Sequence, residues 1–362
     1  MPGTLRAGQG AVTVPEFLPL RVAAVEPLCA DAVAVTFDAP AEEYRFRAGQ
    51  SLTIRRLVDG REERRSYSIC APEGGPLRIG VREVPGGLFS SWLVRDVRPG
   101  DVVEALPPLG LFTPDLSRPA HHALVAAGSG ITPLLSIAAT ALADGESRVT
   151  LFYGNRRSDT VMFADELADL KDRYPARFQL VHVLSREPRE AELLTGRIDG
   201  AHFAALLDAL VDVADVDHWW LCGPLGMVED ARKVLAEAGV PGDRVHRELF
   251  FAEEGDAPEP LRHEEPEPTG PSVELTVRLD GRESSLAVPA DALLLDAAQA
   301  ARPDLPFACK GGVCGTCRAK VVEGTVHMRR NFALEREEVD AGYVLTCQAR
   351  ATSDCVTLSF DE

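Results

Sequence analysis

Cys309-Lys310-Gly311-Gly312-Val313-Cys314-Gly315-Thr316-Cys317, followed after a long interval by Leu345-Thr346-Cys347-Gln348, decides how the C-terminal part of the chain is read. The run has C-x4-C-x2-C spacing with a distant fourth cysteine, the plant-type arrangement for a 2Fe-2S cluster. Cys309, Cys314, Cys317 and Cys347 would give each iron two protein sulfurs beside two bridging sulfides. Such a cluster carries a formal charge of roughly −2 when oxidised, so the loop around it needs backbone N–H groups aimed inward. Gly311, Gly312 and Gly315 permit that, because a residue without Cβ can take positive φ and bring the chain close to the sulfides. A structural zinc site of four cysteines usually pairs two short C-x2-C units, and here only Cys314 and Cys317 are so spaced. A Rieske centre needs two histidines, and none follows this loop before His327. Cys355 falls outside the pattern and reads as a core thiol.

Around the loop, Ser272 to Glu362 opens with alternating Val273, Leu275, Val277 and Leu279, turns at Gly281, and continues into a helix expected over residues 293–300. Strand, strand, helix and cysteine loop follow in order. This segment resembles plant-type ferredoxins over its whole length, which implies an α+β, β-grasp ferredoxin domain. More narrowly, Asn331-Phe332-Ala333-Leu334-Glu335 and Gly342-Tyr343-Val344-Leu345-Thr346-Cys347-Gln348 resemble the reductase components of phenylacetyl-CoA epoxidases. Glu253 to Pro271, rich in Glu and Pro with hardly an apolar residue, reads as an acidic linker that lets its neighbours reorient.

The 362 residues predict two or three domains at about 150 residues each, and the hydrophobic share of 45% is enough for substantial cores. A net charge of −18 argues against nucleic acid, whose phosphates need clustered Lys and Arg. The acidity suits a basic protein partner or simply keeps the chain soluble. Met1 to Leu20 shows no apolar segment behind a basic region, and the apolar stretch Ala123 to Ala143 is broken by Gly128-Ser129-Gly130 and Pro133. Neither a leader nor a membrane anchor is visible, so a cytoplasmic protein without membrane association is expected. Five of the eight cysteines cluster near the C-terminus, which points to metal before disulfide.

Upstream, short β-rich runs punctuated by Gly and Pro predict a small antiparallel barrel over residues 17–116, after a loose tail over 1–16. Its strands include Ala32 to Phe37, Leu77 to Val84 and Asp101 to Leu106, with a hairpin turn at Val58-Asp59-Gly60-Arg61. From residue 117 to 252 the pattern alternates. Strand candidates at Ala123 to Ala127, Val149 to Tyr153, Phe178 to Leu184 and His218 to Cys222, separated by helix-length segments, predict an α/β domain with a parallel sheet. Pro133 sits near the start of the helix after the glycine turn, where its missing N–H costs little.

Candidate site residues fall at the ends of these strands. In Arg65-Ser66-Tyr67-Ser68, Tyr67 could stack on a flavin ring, Ser68 could bond near its N5 and Arg65 could neutralise pyrophosphate; alone, the tetrapeptide reads more readily as a solvated strand face. Gly86-Gly87-Leu88-Phe89-Ser90 precedes a helix candidate and offers free amides to the same anion. Gly128-Ser129-Gly130-Ile131-Thr132-Pro133 lies between strand and helix, where nucleotide phosphates can bind, or where a tight turn suffices. Arg156 and Arg157, after another strand, could fork onto a 2′-phosphate, favouring NADPH over NADH, or be merely solvated. Cys222 and Phe250, out of context, read as core residues.

The first two domains together resemble the ferredoxin-NADP reductase family, with these motifs in family order. The resemblance implies that Arg65, Tyr67, Ser68 and residues 86–90 hold FAD, and that Gly128, Gly130 and Thr132 contact the nicotinamide nucleotide. It implies further that Cys222 and Gly223 flank the nicotinamide, and that Glu248 and Phe250 lie near the flavin ring. A nicotinamide gives up a hydride, two electrons together, whereas a cluster takes one at a time, and a flavin between them is the converter. The expected function is therefore an NADPH-dependent reductase working through FAD and a 2Fe-2S cluster. By resemblance its acceptor is a diiron oxygenase, the phenylacetyl-CoA epoxidase. A ring-hydroxylating or steroid hydroxylase system is the alternative within the class, and an iron-sulfur redox sensor or carrier the alternative outside it.

Overall fold

Leu20 and Val22 point inward from the first strand, and four consecutive buried residues open the second, so the N-terminal sheet has a filled interior. The structure, a computed structural model, describes residues 17–40, 42–58, 60–143, 145–250, 272–279, 281–299, 301–302, 305–334 and 336–362. The expected tail and the acidic linker lie outside the described residues.

The first unit contains β1 (Leu18–Cys29), β2 (Ala32–Asp38), β3 (Ser51–Val58), β4 (Arg61–Ser68), β5 (Arg78–Arg82), the short helix α1 (Ser90–Arg95) and β6 (Val102–Ala105). The strands form an antiparallel sheet in the order β4-β3-β6-β1-β2-β5. An antiparallel bridge between Ile69 and Ile79 joins its two edges, so the sheet curls into the expected barrel. Gly60, at φ 77°, supplies the left-handed residue that the β3–β4 hairpin needs.

The second unit runs β7 (His121–Ala127), α2 (Ile131–Ala143), β8 (Arg148–Asn155), α3 (Ala164–Arg173), β9 (Phe178–Leu184), α4 (Gly200–Leu210), β10 (His218–Gly223), α5 (Leu225–Glu237) and β11 (Val245–Leu249). All strand pairs are parallel, in the order β11-β10-β7-β8-β9. β7 is central and buried on both faces, hence its unbroken apolar run. The chain builds outward from β7 in one direction and then returns to build in the other. The crevice at the carboxyl ends of β7 and β10 is therefore the switch point where ligands bind in such sheets.

Barrel and sheet share one apolar core. Ala34, Ala48, Cys70 and Phe112 from the first unit pack with Leu134, Ile137 and Ala138 of α2. The Ser136 hydroxyl donates to the Ala71 carbonyl at 2.6 Å, and Arg78 pairs with Glu166 at 3.1 Å across the same seam. Among the described residues, no helix is long and apolar enough to cross a membrane.

The third unit contains β12 (Ser272–Leu279), β13 (Arg282–Pro289), α6 (Leu294–Gln299), β14 (Arg318–Glu323), β15 (Val326–Met328), α7 (Arg336–Asp340), β16 (Tyr343–Leu345), β17 (Ala349–Ala351) and β18 (Cys355–Ser359). Its mixed sheet has the order β13-β12-β18-β14-β16, with β12 and β18 parallel, and α6 buries Leu294, Leu295 and Ala298 against it. The expected alternation holds: Val273, Leu275, Val277 and Leu279 all face this core. Cys355 departs from expectation. It opens β18 with its side chain exposed, because its carbonyl, rather than its sulfur, is packed inward against Gly324.

Gly130 shows how tightly the switch point is built. A Cβ added there would lie 2.1 Å from the Cys222 carbonyl oxygen, a backbone atom that cannot swing aside. Gly130→Ala should therefore lower stability by ~2 kcal/mol or more, read as a falling urea midpoint with unchanged slope.

Candidate functional site

β3 and β4 pair in register, which sets Leu52 opposite Tyr67 and Ser51 opposite Ser68 at the end of the barrel facing the parallel sheet. Ser68 is buried and its hydroxyl donates to Glu248 Oε2 at 3.2 Å, a bond spanning the seam between barrel and sheet. β10 and β11 place Cys222 in register with Glu248. The structure thus brings together four of the residues singled out in the sequence, Ser68, Cys222, Gly223 and Glu248, with Tyr67 beside them. The Cys222 thiol is fully buried and raised far above its ordinary range, by desolvation first and by Glu248 second. Burial also raises the Tyr67 phenol, so it stays protonated. Burial pushes Glu248 up from 4.5 to about 7, partly offset by the Ser68 hydroxyl. Phe250 follows on, its N–H donating to the Gly223 carbonyl at 2.9 Å. The arrangement suits a neutral, flat ring system. It offers an aromatic face, a hydroxyl and a carboxyl able to hold a proton near neutral pH.

Arg65 lies on the same strand. Its guanidinium pairs with Glu63 at 3.1 Å, donates to the Arg64 carbonyl at 2.7 Å, and lies over the Phe89 ring with its carbon 5.5 Å from the centroid. The glycine turn differs from the expectation of free amides. Gly87 N–H already donates to the Val84 carbonyl at 2.8 Å, and Ser90 Oγ accepts from Val84 N–H at 3.0 Å. These two bonds close the turn on itself, and α1 behind it has six residues. Gly86 takes φ 73°, Leu88 is half exposed, and Phe89 is buried.

At the switch point, Gly128 takes φ 54° and the turn runs directly into α2, with Pro133 as the third helical residue. Thr132 does not reach outward. It is buried, its hydroxyl donates to the Ser129 carbonyl at 3.0 Å, and its methyl meets the barrel at Gly80. Nothing in the sequence points to Arg82. Reaching across from β5, it forms an ion pair with Asp31 at 3.3 Å and donates to the Thr160 carbonyl, and its Nη1 is 3.1 Å from where a Cβ on Gly128 would stand. That places a cation at a turn whose amides and helix dipole already favour anions. Arg156 and Arg157 are exposed at the end of β8. Beside them, Ser158 N–H and Oγ–H both donate to Glu187 at 2.9 Å.

In the third unit the cysteine loop wraps as expected at Gly312 and Gly315, but at Gly311 the expectation fails, because the neighbouring Lys310 takes the left-handed position instead. Gly311 and Cys314 N–H groups donate to Cys309 Sγ at 3.3 and 3.4 Å. Lys310, Gly312 and Gly315 all take positive φ, at 49°, 83° and 68°. Cys309 is lowered to about 5, chiefly by the Cys314 side chain, then by the loop amides. Cys347 is lowered chiefly by the Cys317 side chain. The sulfurs therefore fall into two pairs, Cys309 with Cys314 and Cys317 with Cys347, the donor set that a binuclear cluster asks for. Among the described residues, no three His, Cys, Asp or Glu side chains converge as a single ion would require. Gln348, buried behind the loop, donates to the carbonyls of Lys310 and Cys347 at 2.8 Å and accepts from Arg329 at 3.0 Å. In the sequence it stands only as one letter of a motif, and its bridging role is visible only in three dimensions.

Three family models match in the same order along the chain: the oxidoreductase FAD-binding domain over residues 19–113, the oxidoreductase NAD-binding domain over 124–233, and the 2Fe-2S iron-sulfur cluster binding domain over 277–352. The chain is thus an FAD-, NAD- and 2Fe-2S-binding oxidoreductase, and it belongs to the family of reductase components that carry electrons in oxygenase systems. It is 42% identical to a component of the 1,2-phenylacetyl-CoA epoxidase of Escherichia coli (strain K12), covering 95% of this chain and 98% of that one. It is 33% identical to the ferredoxin reductase component of 3-ketosteroid-9-alpha-monooxygenase of Rhodococcus rhodochrous, covering 94% and 96%. Among solved structures it is similar to phthalate dioxygenase reductase, with TM-score 0.60 and 27% identity over 95% of this chain and 98% of that chain.

Glu248 makes stability depend on pH. The folded protein keeps a proton that the unfolded chain releases at its ordinary value, so stability should fall as pH rises from 4.5 to about 7. Glu248→Gln removes that fall. The variant should match the parent below pH 4.5 and exceed it at pH 8 by ~3 kcal/mol, in urea titrations at both pH values.

Proposed function

We propose that this reductase serves a diiron oxygenase acting on phenylacetyl-CoA, in the cytoplasm and without membrane association, and that NADPH is its electron donor. One observation carries the acceptor assignment. The 42% identity to the E. coli epoxidase component runs over nearly the full length of both chains, cluster domain included. The acceptor meets that domain, so similarity there bears on partner choice more directly than similarity in the barrel.

In this reading Tyr67 and Ser68 hold the flavin ring, Arg65 with residues 86–90 lies along its phosphates, and Glu248 stands as a proton reservoir behind Ser68. Gly128, Gly130 and Thr132 shape the turn for the nucleotide phosphates, Thr132 by packing rather than by contact. Cys222, Gly223 and Phe250 form the wall against the nicotinamide. Cys309, Cys314, Cys317 and Cys347 ligate the cluster. Each side chain's work is to bind, orient and exclude water, since the redox chemistry belongs to the cofactors. A sensor that used its cluster only as a binding switch would need neither a flavin barrel nor a nucleotide domain, and this chain keeps both joined by a shared core.

Purified chain, a phenylacetyl-CoA-type diiron oxygenase, NADPH and phenylacetyl-CoA should together yield a coenzyme A-linked oxygenated product. A ketosteroid oxygenase in place of the first should yield none. Cys309→Ser should abolish product and cytochrome c reduction while ferricyanide reduction by NADPH continues. Product from the steroid system alone would reassign the acceptor.

One observation favours NADH instead. Glu187 bonds to Ser158 beside Arg156 and Arg157, and a carboxylate there suits ribose hydroxyls better than a 2′-phosphate. If the arginines prevail, Arg156→Ala combined with Arg157→Ala should raise KM for NADPH about tenfold or more and leave KM for NADH nearly unchanged, the two charge-assisted phosphate contacts being lost. An equal rise for both nucleotides would favour NADH.

A further inference from the structure

Arg64 is a charged residue with only 7% of its surface exposed, on the strand that carries the flavin motif. Its guanidinium carbon lies 4.1 Å from the ring centroid of Phe307, in the iron-sulfur domain, and 4.9 Å from that of Phe17, in its own. The stack continues at both ends. Lys310 Nζ lies 4.5 Å from the ring centroid of Phe307, and the Arg55 guanidinium carbon lies 4.5 Å from that of Phe17. Lys310, Phe307, Arg64, Phe17 and Arg55 thus alternate cation and ring from the cluster loop to the barrel.

Both ends of the ladder are fixed. Lys310, directly after the ligand Cys309, is held by Asp296 and Gln299 of α6, each at 2.8 Å. At the other end Arg55 is held by Glu104, which accepts from its Nε and Nη2 at 3.1 and 3.0 Å, and by Glu62 at 3.2 Å, while Glu62 also accepts from Arg64 Nε at 2.7 Å. β3 and β4 set Arg55 opposite Arg64, and Glu62 between them offsets the like charges. On the far side of the loop, Val313 and Phe332 pack against the apolar cluster of the parallel sheet that contains Leu225 and Leu249. The cluster loop is therefore gripped on one side through Phe307 and on the other through Val313 and Phe332.

We propose that the Arg64–Phe307 contact is the latch that docks the iron-sulfur domain on the flavin barrel, with Arg64 acting as a positioning residue for transfer between the two. A guanidinium shielded from water between two ring faces is stabilised by their quadrupoles, and withdrawing Phe307 removes one of the two. The latch ties the first cluster ligand, two residues beyond Phe307, to the strand that also bears Arg65, Tyr67 and Ser68. It rests on the reductase assignment of the three domains and is independent of which oxygenase is served.

The test uses the full-length holoprotein. Each NADPH supplies two electrons; ferricyanide takes them from the flavin, and cytochrome c takes one at a time through the cluster. Arg64→Gln should leave NADPH–ferricyanide turnover unchanged and lower cytochrome c turnover by about five- to thirtyfold, the factor a desolvated cation–π contact represents. Amide hydrogen exchange in residues 305–309 should rise in the same variant, a readout that does not depend on turnover. Should Arg64→Gln fail to fold, Phe307→Leu, which keeps the iron-sulfur core filled, should show the same split between acceptors and the same rise in exchange. An unchanged ratio of the two activities, unchanged exchange, or an equal fall with both acceptors would overturn the latch. The oxygenase reconstitution is unaffected by any of these results, so the two proposals fail separately.

Discussion

A half-buried carboxyl on one domain bonded to a buried hydroxyl on another is the contact on which the rest of the molecule turns. Ser68 sits at the end of a barrel strand and Glu248 at the end of the outermost parallel strand, so their 3.2 Å bond exists only if barrel and sheet meet in one orientation. That orientation is imposed from below by the shared core around α2 and from the side by Arg78 and Arg82, which reach from the barrel to the sheet domain. Within the sheet domain, Gly130 has no side chain to keep the turn after β7 from closing onto the Cys222 carbonyl, which fixes where β10 ends. Burying a carboxyl costs free energy unless it is neutral or paired, and the protein accepts a neutral one here. The result is a preorganised seam that can hold a proton near neutral pH.

The cluster loop solves the opposite electrostatic problem. It must receive negative charge, and it does so with amides rather than with cations at the sulfurs. Cys309 takes two backbone N–H groups, and the loop reaches them by putting three residues into the left-handed region, one of them the non-glycine Lys310. That strained lysine is held by two side-chain acceptors on α6 and by the ring of Phe307. Gln348 closes the back of the loop by bridging the Lys310 carbonyl to the carbonyl of Cys347. Ligand geometry and domain contact thus share residues, so the loop's shape and its placement are coupled.

What can be read from the sequence is whatever is local. Cysteine spacing, the positive φ of Gly312 and Gly315, the alternation from Val273 to Leu279 and the strand–turn–helix at Ala123 to Ala143 are all patterns within a few residues, and each folds as read, whereas Gly311 yields its expected left-handed place to Lys310. β11 is not legible as a strand, because Val245 to Leu249 carries His, Arg and Glu and acquires its pairing only from β10. Composition alone leaves the Gly87 amide open to an anion, but the turn consumes that amide itself. Thr132 faces the barrel because Gly80 leaves it room, and no spacing rule encodes a gap on another domain. The same holds for Arg82, Arg64 and Gln348. Each acts through partners more than 15 residues away or in another domain, and single-sequence patterns carry no information about such distances.

The three domains differ in how firmly they are joined, and the difference follows from what lies between them. Barrel and sheet share a continuous apolar core, so separating them would expose large side chains such as Phe112 and the α2 residues it packs with. The iron-sulfur domain closes its own core, with Leu275, Leu295, Leu345 and Val356 satisfied internally, and touches its neighbours through a cation stack and a few apolar side chains. Interfaces of that kind lose little when opened, since a guanidinium that leaves a ring regains water. A domain that must receive electrons on one side and present them to a separate oxygenase needs a contact specific enough to set geometry and weak enough to be exchanged. A ladder of alternating cations and rings meets both conditions: its stacking sets direction, while the strong hydration of its charges keeps the net attraction small.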